Sequence, residues 1–412
     1  MGAVAVQRVF DVVQDSPGAP EPDVVLRSFV GRFGLYVHVP FCRSICPYCP
    51  YNKVLYRPQA VPRYFAALRE ELRQYGASGR RFTSLYVGGG TPSLCLGDMA
   101  PLIAELTVEG ERAIEVFPTH VTPEGLAELH ELGFDYVSLG VQSFDERTLR
   151  HLGRLNTEED NRRALAAVAG EFACVNADLI FDTAFSEPSV FLRDLELCCR
   201  AGVDQISTYP LMHFGYTPFG RTPHARRVEH ELLRRACELA ARLGYERRSV
   251  WTFTRVGGPL YASIAREFYL GCGAGAATFT GHDFFVNHFG LGPYIAALGE
   301  GRLPIARRAR LDPRRAALYY AFWRLYAPGL DRDRLRRLFP TARSVALLLD
   351  ALRWTGYLHA DRSKVRLTER GYDRYHDLEQ WVTYHLIEPL WEEMLDDADR
   401  DSPRRQLQLV DA

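Results

Sequence analysis

The sequence predicts an α/β fold in which six β–α units form a partial (β/α)6 barrel, followed by a mainly helical, winged-helix-like domain. Two features of the 412 residues predict this architecture. Short strand-like runs alternate with helix-like segments up to about residue 220, which is the pattern of a parallel sheet with helical connections. From about residue 310 the pattern changes to helices that enclose one β-hairpin.

The six predicted strands are short, largely apolar runs. They lie at about residues 35–39, 83–87, 113–116, 136–141, 172–180 and 205–209. Helical periodicity follows most of them. It is clearest at about 62–75, where Pro62 suits the first turn and Phe65, Leu68 and Leu72 share one face. Further helices are expected to begin near Pro123, near Glu146 and at about residue 189.

The ends of these strands carry residues with distinctive chemistry. In a parallel sheet, ligands bind at the carboxyl ends of the strands. The residues that fall at this edge are Cys42, Gly88, Glu115, Gln142, Asp178 and Tyr209. Because these positions are far apart in sequence, their common placement indicates a single ligand site.

Three cysteines directly after the first strand form the most distinctive motif. Cys42, Cys46 and Cys49 lie within eight residues, so their thiols can converge on one iron–sulfur cluster. Clusters held by thiolates alone normally take four cysteines, and three leave one iron open to an external ligand. An open coordination position is where a metal does chemistry rather than structural work.

Two other interpretations of these cysteines remain open on spacing alone. Buried cysteines without a ligand are common, and a zinc site would need a fourth protein ligand. His38 lies four residues before Cys42, but it is in mid-strand and is expected to point away from the loop. Disulfides are not expected in a chain of nine cysteines without a secretory signal.

Several motifs, taken in order, resemble one known family. They are Pro40-Phe41-Cys42-x-x-x-Cys46-x-x-Cys49, Tyr36-Val37-His38-Val39-Pro40-Phe41, Gly88-Gly89-Gly90-Thr91-Pro92-Ser93 and Ser138-Leu139-Gly140-Val141-Gln142-Ser143-Phe144. The cysteine motif resembles the radical SAM (S-adenosylmethionine) superfamily. The others resemble its oxygen-independent coproporphyrinogen III oxidase-like branch, which includes class C methylases and cyclopropanases. The resemblance covers about residues 33–380 and implies a barrel of the radical SAM type with a C-terminal lid.

The resemblance implies two cofactors: a 4Fe–4S cluster on Cys42, Cys46 and Cys49, and SAM, bound as two molecules. One electron passing through the cluster would cleave the SAM sulfonium and give a 5′-deoxyadenosyl radical that abstracts hydrogen. The residues that match SAM-binding positions are Tyr48, Gly88, Gly89, Gly90, Thr91, Glu115, Gln142, Arg154, Asp178 and Met212. For Arg154 the alternative is a solvated residue on the face of a helix.

The expected reaction is inferred from motifs that related proteins carry and this chain lacks. Coproporphyrinogen oxidases carry a fourth cysteine where this chain has Tyr51, and haem chaperones carry His-Asn-x-x-Tyr-Trp where this chain has a segment beginning at Ala262. We therefore expect a radical SAM C-methyltransferase. It would transfer a methyl or methylene unit from a second SAM to an sp² carbon of an aromatic or heteroaromatic natural-product intermediate. The alternative is a coproporphyrinogen oxidase-like or haem-modifying enzyme, or a haem-binding chaperone.

Strand-end position makes Tyr36, His38 and His213 the candidates for proton transfer. The expected partners are a small-molecule or carrier-bound substrate and an electron donor such as flavodoxin or ferredoxin. A net charge of −1, an acidic C-terminal stretch and no apolar run of membrane-span length argue against nucleic acid and membrane partners. The absence of a signal-peptide pattern predicts a cytoplasmic protein.

Four regions are expected along the chain. Residues 1–32 form an N-terminal arm, 33–220 the barrel, 221–309 a barrel extension with pocket-closing loops, and 310–412 the C-terminal domain. The third region is expected to contain a strand near Glu246–Phe253. Its predicted aromatic pocket wall, with plain core packing as the alternative, comprises Phe279, Phe284, Phe285, Asn287, His288 and Phe289.

Overall fold

The computed structural model describes residues 20–400, except for 183, 222–225, 260–265 and 327–328. Most of the predicted N-terminal arm and the last twelve residues of the predicted C-terminal domain lie outside the described residues, as do the first four residues of the segment that begins at Ala262. The described part of the arm contains a short helix, Pro22–Arg27, which buries Val25 against the core.

One mixed sheet of twelve strands organises the fold, in the order β7-β8-β6-β5-β4-β3-β2-β1-β9-β10-β11-β12. The strands are β1 (Gly34–Val39), β2 (Leu85–Gly89), β3 (Arg112–Val116), β4 (Tyr136–Gln142), β5 (Cys174–Phe181), β6 (Gln205–Pro210), β7 (Tyr245–Arg247), β8 (Thr252–Arg255), β9 (Tyr269–Cys272), β10 (Ala277–Phe279), β11 (Asp283–Asn287) and β12 (Ile305–Arg310). Two short parallel pairs lie outside it: Phe41–Cys42 with Val54–Leu55, and Arg81–Phe82 with Thr107–Val108.

The six predicted strands, β1 to β6, are consecutive neighbours in the sheet and all run parallel. The α/β prediction is therefore confirmed. Leu35, Val37 and Val39 of β1 are at most 2% exposed, so this strand lies at the centre of the core. A parallel strand buried on both faces is typically such an apolar run.

The edges of the sheet differ from the prediction. β9 pairs in parallel with β1, adding a seventh parallel strand where a glycine-rich loop was expected. β10, β11 and β12 then continue the sheet in antiparallel fashion. At the other edge, the single strand predicted near Glu246–Phe253 is an antiparallel hairpin of β7 and β8, because the chain reverses between them.

Helices cover the sheet and form most of the C-terminal region. They are α1 (Pro22–Arg27), α2 (Val61–Gln74), α3 (Leu96–Ala104), α4 (Pro123–Glu131), α5 (Glu146–His151), α6 (Glu158–Val168), α7 (Pro188–Ala201), α8 (Arg226–Arg242), α9 (Leu291–Gly299), α10 (Pro313–Tyr326), α11 (Arg332–Leu338), α12 (Arg343–Trp354), α13 (Glu369–Val382) and α14 (Glu388–Arg400). Local signals set several boundaries: a Thr157–Asp160 capping box starts α6, and Gly202 in a left-handed conformation ends α7.

The C-terminal region contains the predicted β-hairpin. Leu358–Asp361 pairs with Lys364–Leu367, and Leu330–Asp331 adds a third short strand. The long helix after the hairpin is not uniform, because a π-helical turn at Thr383–Ile387 joins α13 to α14. None of the described helices combines the length and the apolar character needed to span a bilayer.

Candidate functional site

A cavity of about 990 Å³ opens at the carboxyl ends of the parallel strands and is closed by the C-terminal helices. It gathers fourteen of the sixteen residues that the sequence singles out. They are Tyr36, His38, Cys42, Cys46, Tyr48, Cys49, Gly89, Gly90, Thr91, Glu115, Gln142, Arg154, Asp178 and Met212. Gly88 and His213 are not among the residues that line it.

The cysteine loop starts at a two-residue strand and returns beside it. Phe41–Cys42 runs parallel to Val54–Leu55, and the Tyr56 N–H donates to the Cys42 carbonyl at 2.7 Å. Inside the loop, the Cys49 N–H donates to the Cys46 carbonyl at 3.1 Å, and Lys53 Nζ donates to the Cys49 carbonyl at 2.6 Å. These contacts hold all three half-buried thiols at one end of the cavity.

Donor groups surround the thiols. Thr91 Oγ1 lies 3.6 Å from Cys42 Sγ, and an Arg154 guanidinium nitrogen lies 4.0 Å from Cys46 Sγ. Burial raises the pKa of Cys42 to about 11, so in the absence of metal its thiol stays protonated at neutral pH. Three thiols with hydrogen-bond donors beside them form a donor set that fits a 4Fe–4S cluster with one iron left for an external ligand.

His38 is fixed in one neutral tautomer beside this loop. Its Nε2 donates to the Asn52 carbonyl at 2.9 Å, so Nδ1 must accept from the Tyr36 hydroxyl, which is 2.7 Å away. Burial lowers the pKa of His38 to about 4. Because both ring nitrogens are occupied, His38 offers no ligand to a metal in this arrangement. Contrary to the expectation that it points away from the loop, the side chain lines the cavity.

Two buried carboxyl groups lie on the cavity wall. Glu115 accepts hydrogen bonds from the Tyr86 hydroxyl and from the Gly89 N–H at 3.1 Å. Asp178 accepts from Ser138 Oγ at 2.8 Å and from Asn176 Nδ2 at 2.9 Å. Burial raises the pKa of Glu115 to about 7 and that of Asp178 to about 6. A bound ammonium or hydroxyl-bearing ligand would stabilise their ionised forms.

Arg154 lies beyond the last residue of α5. It is therefore not a solvated residue on the face of that helix, which was the alternative interpretation. Its Nη2 donates to the Gly140 carbonyl at 2.6 Å, and its guanidinium lies 4.5 Å from the centre of the Phe117 ring. The cavity-lining Gln142 has a φ of 67°, in the left-handed region, where the register between β4 and β5 shifts. Strained backbone of this kind persists only where the surrounding structure imposes it, and it concentrates at functional sites.

The glycine run packs the sheet as well as lining the cavity. A Cβ on Gly89, whose φ is 121°, would lie 2.8 Å from the His38 ring, and a Cβ on Gly90 would lie 2.7 Å from the Pro40 backbone. A Cβ on Gly88 would meet the side chains of Tyr86 and Glu115. The glycines thus let β2 approach the cysteine strand closely, and ligand access explains only part of the run.

His213, expected to be a proton-transfer residue, faces away from the cavity. Its Nε2 lies 3.7 Å from a carboxylate oxygen of Asp182, and its backbone N–H donates to the Tyr384 hydroxyl at 2.9 Å. The expectation fails because the chain leaves the sheet after β6, and neighbouring residues point in different directions there. Met212 and Phe214 line the cavity, whereas His213 does not.

The cavity wall away from the cysteines is aromatic. Of the predicted wall, Phe279, Phe284 and Phe289 line the cavity, whereas Phe285, Asn287 and His288 do not. The contribution of α10 and of the C-terminal helices to this wall was not expected from the sequence. These residues are Tyr319, Phe322, Trp323, Glu379, Val382, Thr383, Leu386, Ile387, Leu390, Trp391 and Met394. The spacing of these residues at helical periodicity was the signal in the sequence that could have identified them.

Comparison with known proteins gives consistent results. Residues 36–183 match the model of the radical SAM superfamily. The chain is 36% identical over 197 residues to the haem chaperone HemW of Mycobacterium tuberculosis, a match that covers 44% of this chain and half of that relative. It is 25% identical over 411 residues to the oxygen-independent coproporphyrinogen III oxidase of Paracoccus denitrificans, covering 86% of this chain and 88% of the relative.

Among solved structures, the coproporphyrinogen III oxidase HemN of Escherichia coli superposes with a TM-score of 0.72 at 21% identity. The superposition covers 92% of this chain and 98% of that one. At this identity the likeness shows the fold.

The expected C-methyltransferase acting in natural-product biosynthesis is wrong. These relatives are named for haem or for coproporphyrinogen III, not for methyl transfer. The prediction rested on motifs that coproporphyrinogen oxidases and haem chaperones carry and this chain lacks. The positions of those motifs carry less weight than the prediction assumed. Tyr51, which stands where a fourth cysteine was sought, is 56% exposed, and three thiols already form the donor set.

The cysteine loop, the strand-end residues and the relatives agree on the two cofactors, a 4Fe–4S cluster and SAM. Residues 36–183 match the radical SAM superfamily, and the similarity of the chain to oxygen-independent coproporphyrinogen III oxidases supports that branch of it.

Proposed function

We propose that this protein is a tetrapyrrole-handling radical SAM enzyme that oxidises coproporphyrinogen III or a closely related porphyrinogen. The observation that carries the proposal is one continuous cavity of about 990 Å³, which joins the cysteine loop to a wide aromatic wall. Ligand pockets usually enclose about 300–1,000 Å³, so this one lies at the large end of that range. Its size supports the binding of SAM together with a large macrocyclic substrate.

In this proposal, different groups of residues bind the cofactors, transfer the proton and hold the substrate. A cluster held by Cys42, Cys46 and Cys49 would supply the electron for the reductive cleavage of SAM. Glu115, Asp178 and Arg154 bind the amino, hydroxyl and carboxylate groups of SAM through ionic and bidentate contacts. The Tyr36–His38 pair, a phenol hydrogen-bonded to a neutral imidazole, can carry a proton beside the reacting atoms. The aromatic wall holds the macrocycle and excludes water.

A haem chaperone is the second candidate, and the identity of 36% to such a protein favours it. One anaerobic experiment separates the two. The reconstituted protein is incubated with SAM and a one-electron donor, either dithionite or reduced flavodoxin, together with coproporphyrinogen III in one sample and haem in another. The enzyme proposal predicts 5′-deoxyadenosine and a substrate product of lower mass. Tight haem binding, seen in the Soret region, without substrate turnover would identify a chaperone. If neither turnover nor haem binding is observed, both candidates are refuted.

We also propose that the cavity takes a second SAM molecule and that the physiological reductant is a small electron-transfer protein such as flavodoxin or ferredoxin. The cavity volume supports the first proposal. Equilibrium dialysis of the reconstituted protein with labelled SAM should then give two bound molecules per chain. A plateau at one molecule would contradict it. For the reductant, turnover with reduced flavodoxin or ferredoxin in place of dithionite is the corresponding test.

A further inference from the structure

Glu379 is a buried acid on the part of the cavity wall that α13 provides. Its side chain lines the cavity, and the residue is only 7% exposed. It lies on the last turn of α13, directly before the π-helical turn Thr383–Ile387. Single π-helical turns inside α-helices are rare and frequently lie at functional sites. Thr383 and Ile387 of this turn also line the cavity.

The carboxyl group of Glu379 has only weak hydrogen bonds to the rest of the described protein. Within the described part of the chain, its contact is with Thr383 Oγ1 of its own helix, at long distances of 3.4 and 3.5 Å, and it forms no ion pair. Other buried acids of the protein are well partnered. Glu388 accepts from the Gly215 N–H and pairs with Arg221 at 3.1 Å, and Glu71 accepts three hydrogen bonds.

A buried carboxyl group with so little hydrogen bonding is costly, so such a group normally has a partner. In the described part of the chain, the titratable groups that face Glu379 are phenols: Tyr326 of α10, Tyr375 of α13 and Tyr51 of the cysteine loop. Burial, together with the negative charge of Glu379, raises their pKa values. Phenols are poor partners for neutralising a carboxylate. The missing partner therefore belongs in the cavity, and it must be a hydrogen-bond donor carried on a molecule that fits an aromatic enclosure.

We propose that Glu379 is a substrate-binding residue that accepts hydrogen bonds from the pyrrole N–H groups of a porphyrinogen. This inference rests on the proposed function, since it names a contact of that substrate. A porphyrinogen presents several N–H donors at the centre of an apolar ring system. One carboxylate can accept more than one of them, while the aromatic side chains contact the periphery of the macrocycle.

The contact depends on pH in a definite direction. Burial raises the pKa of Glu379 from its ordinary value near 4.5 to about 7. The carboxylate is the stronger acceptor, because hydrogen bonds to an ionised group are roughly twice as strong as neutral ones. The pyrrole N–H groups of a porphyrinogen do not titrate in this range. Binding should therefore strengthen as the pH rises from 6 to 8.

The test compares Glu379→Gln with Glu392→Gln, which removes the same charge from an exposed position on α14. Anaerobic titration with coproporphyrinogen III is followed by quenching of the tryptophans at the cavity, Trp251, Trp323 and Trp391. Glu379→Gln should weaken binding at pH 8 by about 10-fold or more, as expected for hydrogen bonds to a charged acceptor. Its affinity should also lose the rise between pH 6 and 8. Glu392→Gln should behave like the unmodified protein.

A second variant tests the contact without touching the acid. The Thr383 hydroxyl is the one group that lowers the pKa of Glu379, so Thr383→Val should move the midpoint of the affinity profile to higher pH. Equal affinity and an equal profile for Glu379→Gln, or an unmoved midpoint in folded Thr383→Val, would overturn the inference while leaving the proposed function intact. No binding of coproporphyrinogen III to the unmodified protein would overturn the proposed function itself.

Discussion

Replacing Cys46 with alanine abolishes cluster assembly, and with it all reductive cleavage of SAM. Three protein thiolates are already one fewer than iron–sulfur clusters normally have, and two cannot hold the cubane. The effect on folding is small by comparison. Cys46 lies in a half-exposed loop that backbone hydrogen bonds at Cys42 and Cys49 close independently of its thiol. Activity should therefore fall to background in a protein that remains folded.

The measurement is iron and sulfide content together with the visible absorbance after anaerobic reconstitution. Cys237→Ala provides the matched control, because Cys237 is also half-buried but lies on α8, away from the cavity lining. It should load the full cluster and cleave SAM like the unmodified protein. A Cys46→Ala protein that retains four irons, or a Cys237→Ala protein that loses them, would show that the cluster ligands are wrongly assigned.

The parallel part of the fold could be predicted because its signals are local. Each of β1 to β6 is a short apolar run bounded by polar or glycine residues, and the cysteine motif lies within eight residues. The strand-end rule then placed Cys42, Glu115 and Asp178 together before any contact was known. All three line the cavity.

The remaining features depend on contacts between distant residues, which periodicity does not encode. β9 is four residues long and contains a glycine, and it becomes a strand by pairing with β10 and with β1, which lies more than 230 residues earlier. Glu71 belongs to an amphipathic helix and is completely buried, since its partners come from the end of β9 and from residues beyond it. The substrate could not be predicted for a related reason. The cavity wall comes from the C-terminal helices, whose apolar faces resemble ordinary core packing.

Glu71→Ala should strongly destabilise the protein. The Glu71 carboxyl accepts hydrogen bonds from the Gly273 N–H at 2.8 Å, the Tyr294 hydroxyl at 2.6 Å and Asn287 Nδ2 at 2.7 Å. Alanine leaves these donors without their acceptor in a site with no exposed surface. A buried polar group left unsatisfied costs about 1–3 kcal/mol, so we expect a loss of about 3–5 kcal/mol in the free energy of unfolding.

The loss of stability caused by Glu71→Ala should also affect the cysteine loop. Gly273 packs so closely on β1 that a Cβ there would lie 2.5 Å from the His38 carbonyl, and Asn52 Nδ2 donates to the Ala274 carbonyl at 3.0 Å. Releasing the turn at Gly273 therefore loosens the support of both His38 and the loop. Cluster loading of Glu71→Ala should be slower and less complete than that of the unmodified protein.

The pH dependence distinguishes this account from simple loss of packing. Burial raises the pKa of Glu71 from about 4.5 in the unfolded chain to about 7 in the folded one. A carboxyl group with a raised folded pKa contributes stability that is fully present below pH 4.5 and is lost as the pH rises through 7. The destabilisation by Glu71→Ala should therefore be larger at pH 6 than at pH 8.

Urea unfolding at both pH values checks this. Glu70→Ala is the control, since Glu70 pairs with Arg73 on the surface of the same helix and its loss should change stability by only about 0.5 kcal/mol. Equal penalties for Glu71→Ala at pH 6 and pH 8 would mean that the carboxyl group is ionised throughout this range. The three donors would then outweigh the cost of burying the charge, and Glu71 would be a fixed anion that anchors the sheet to α2.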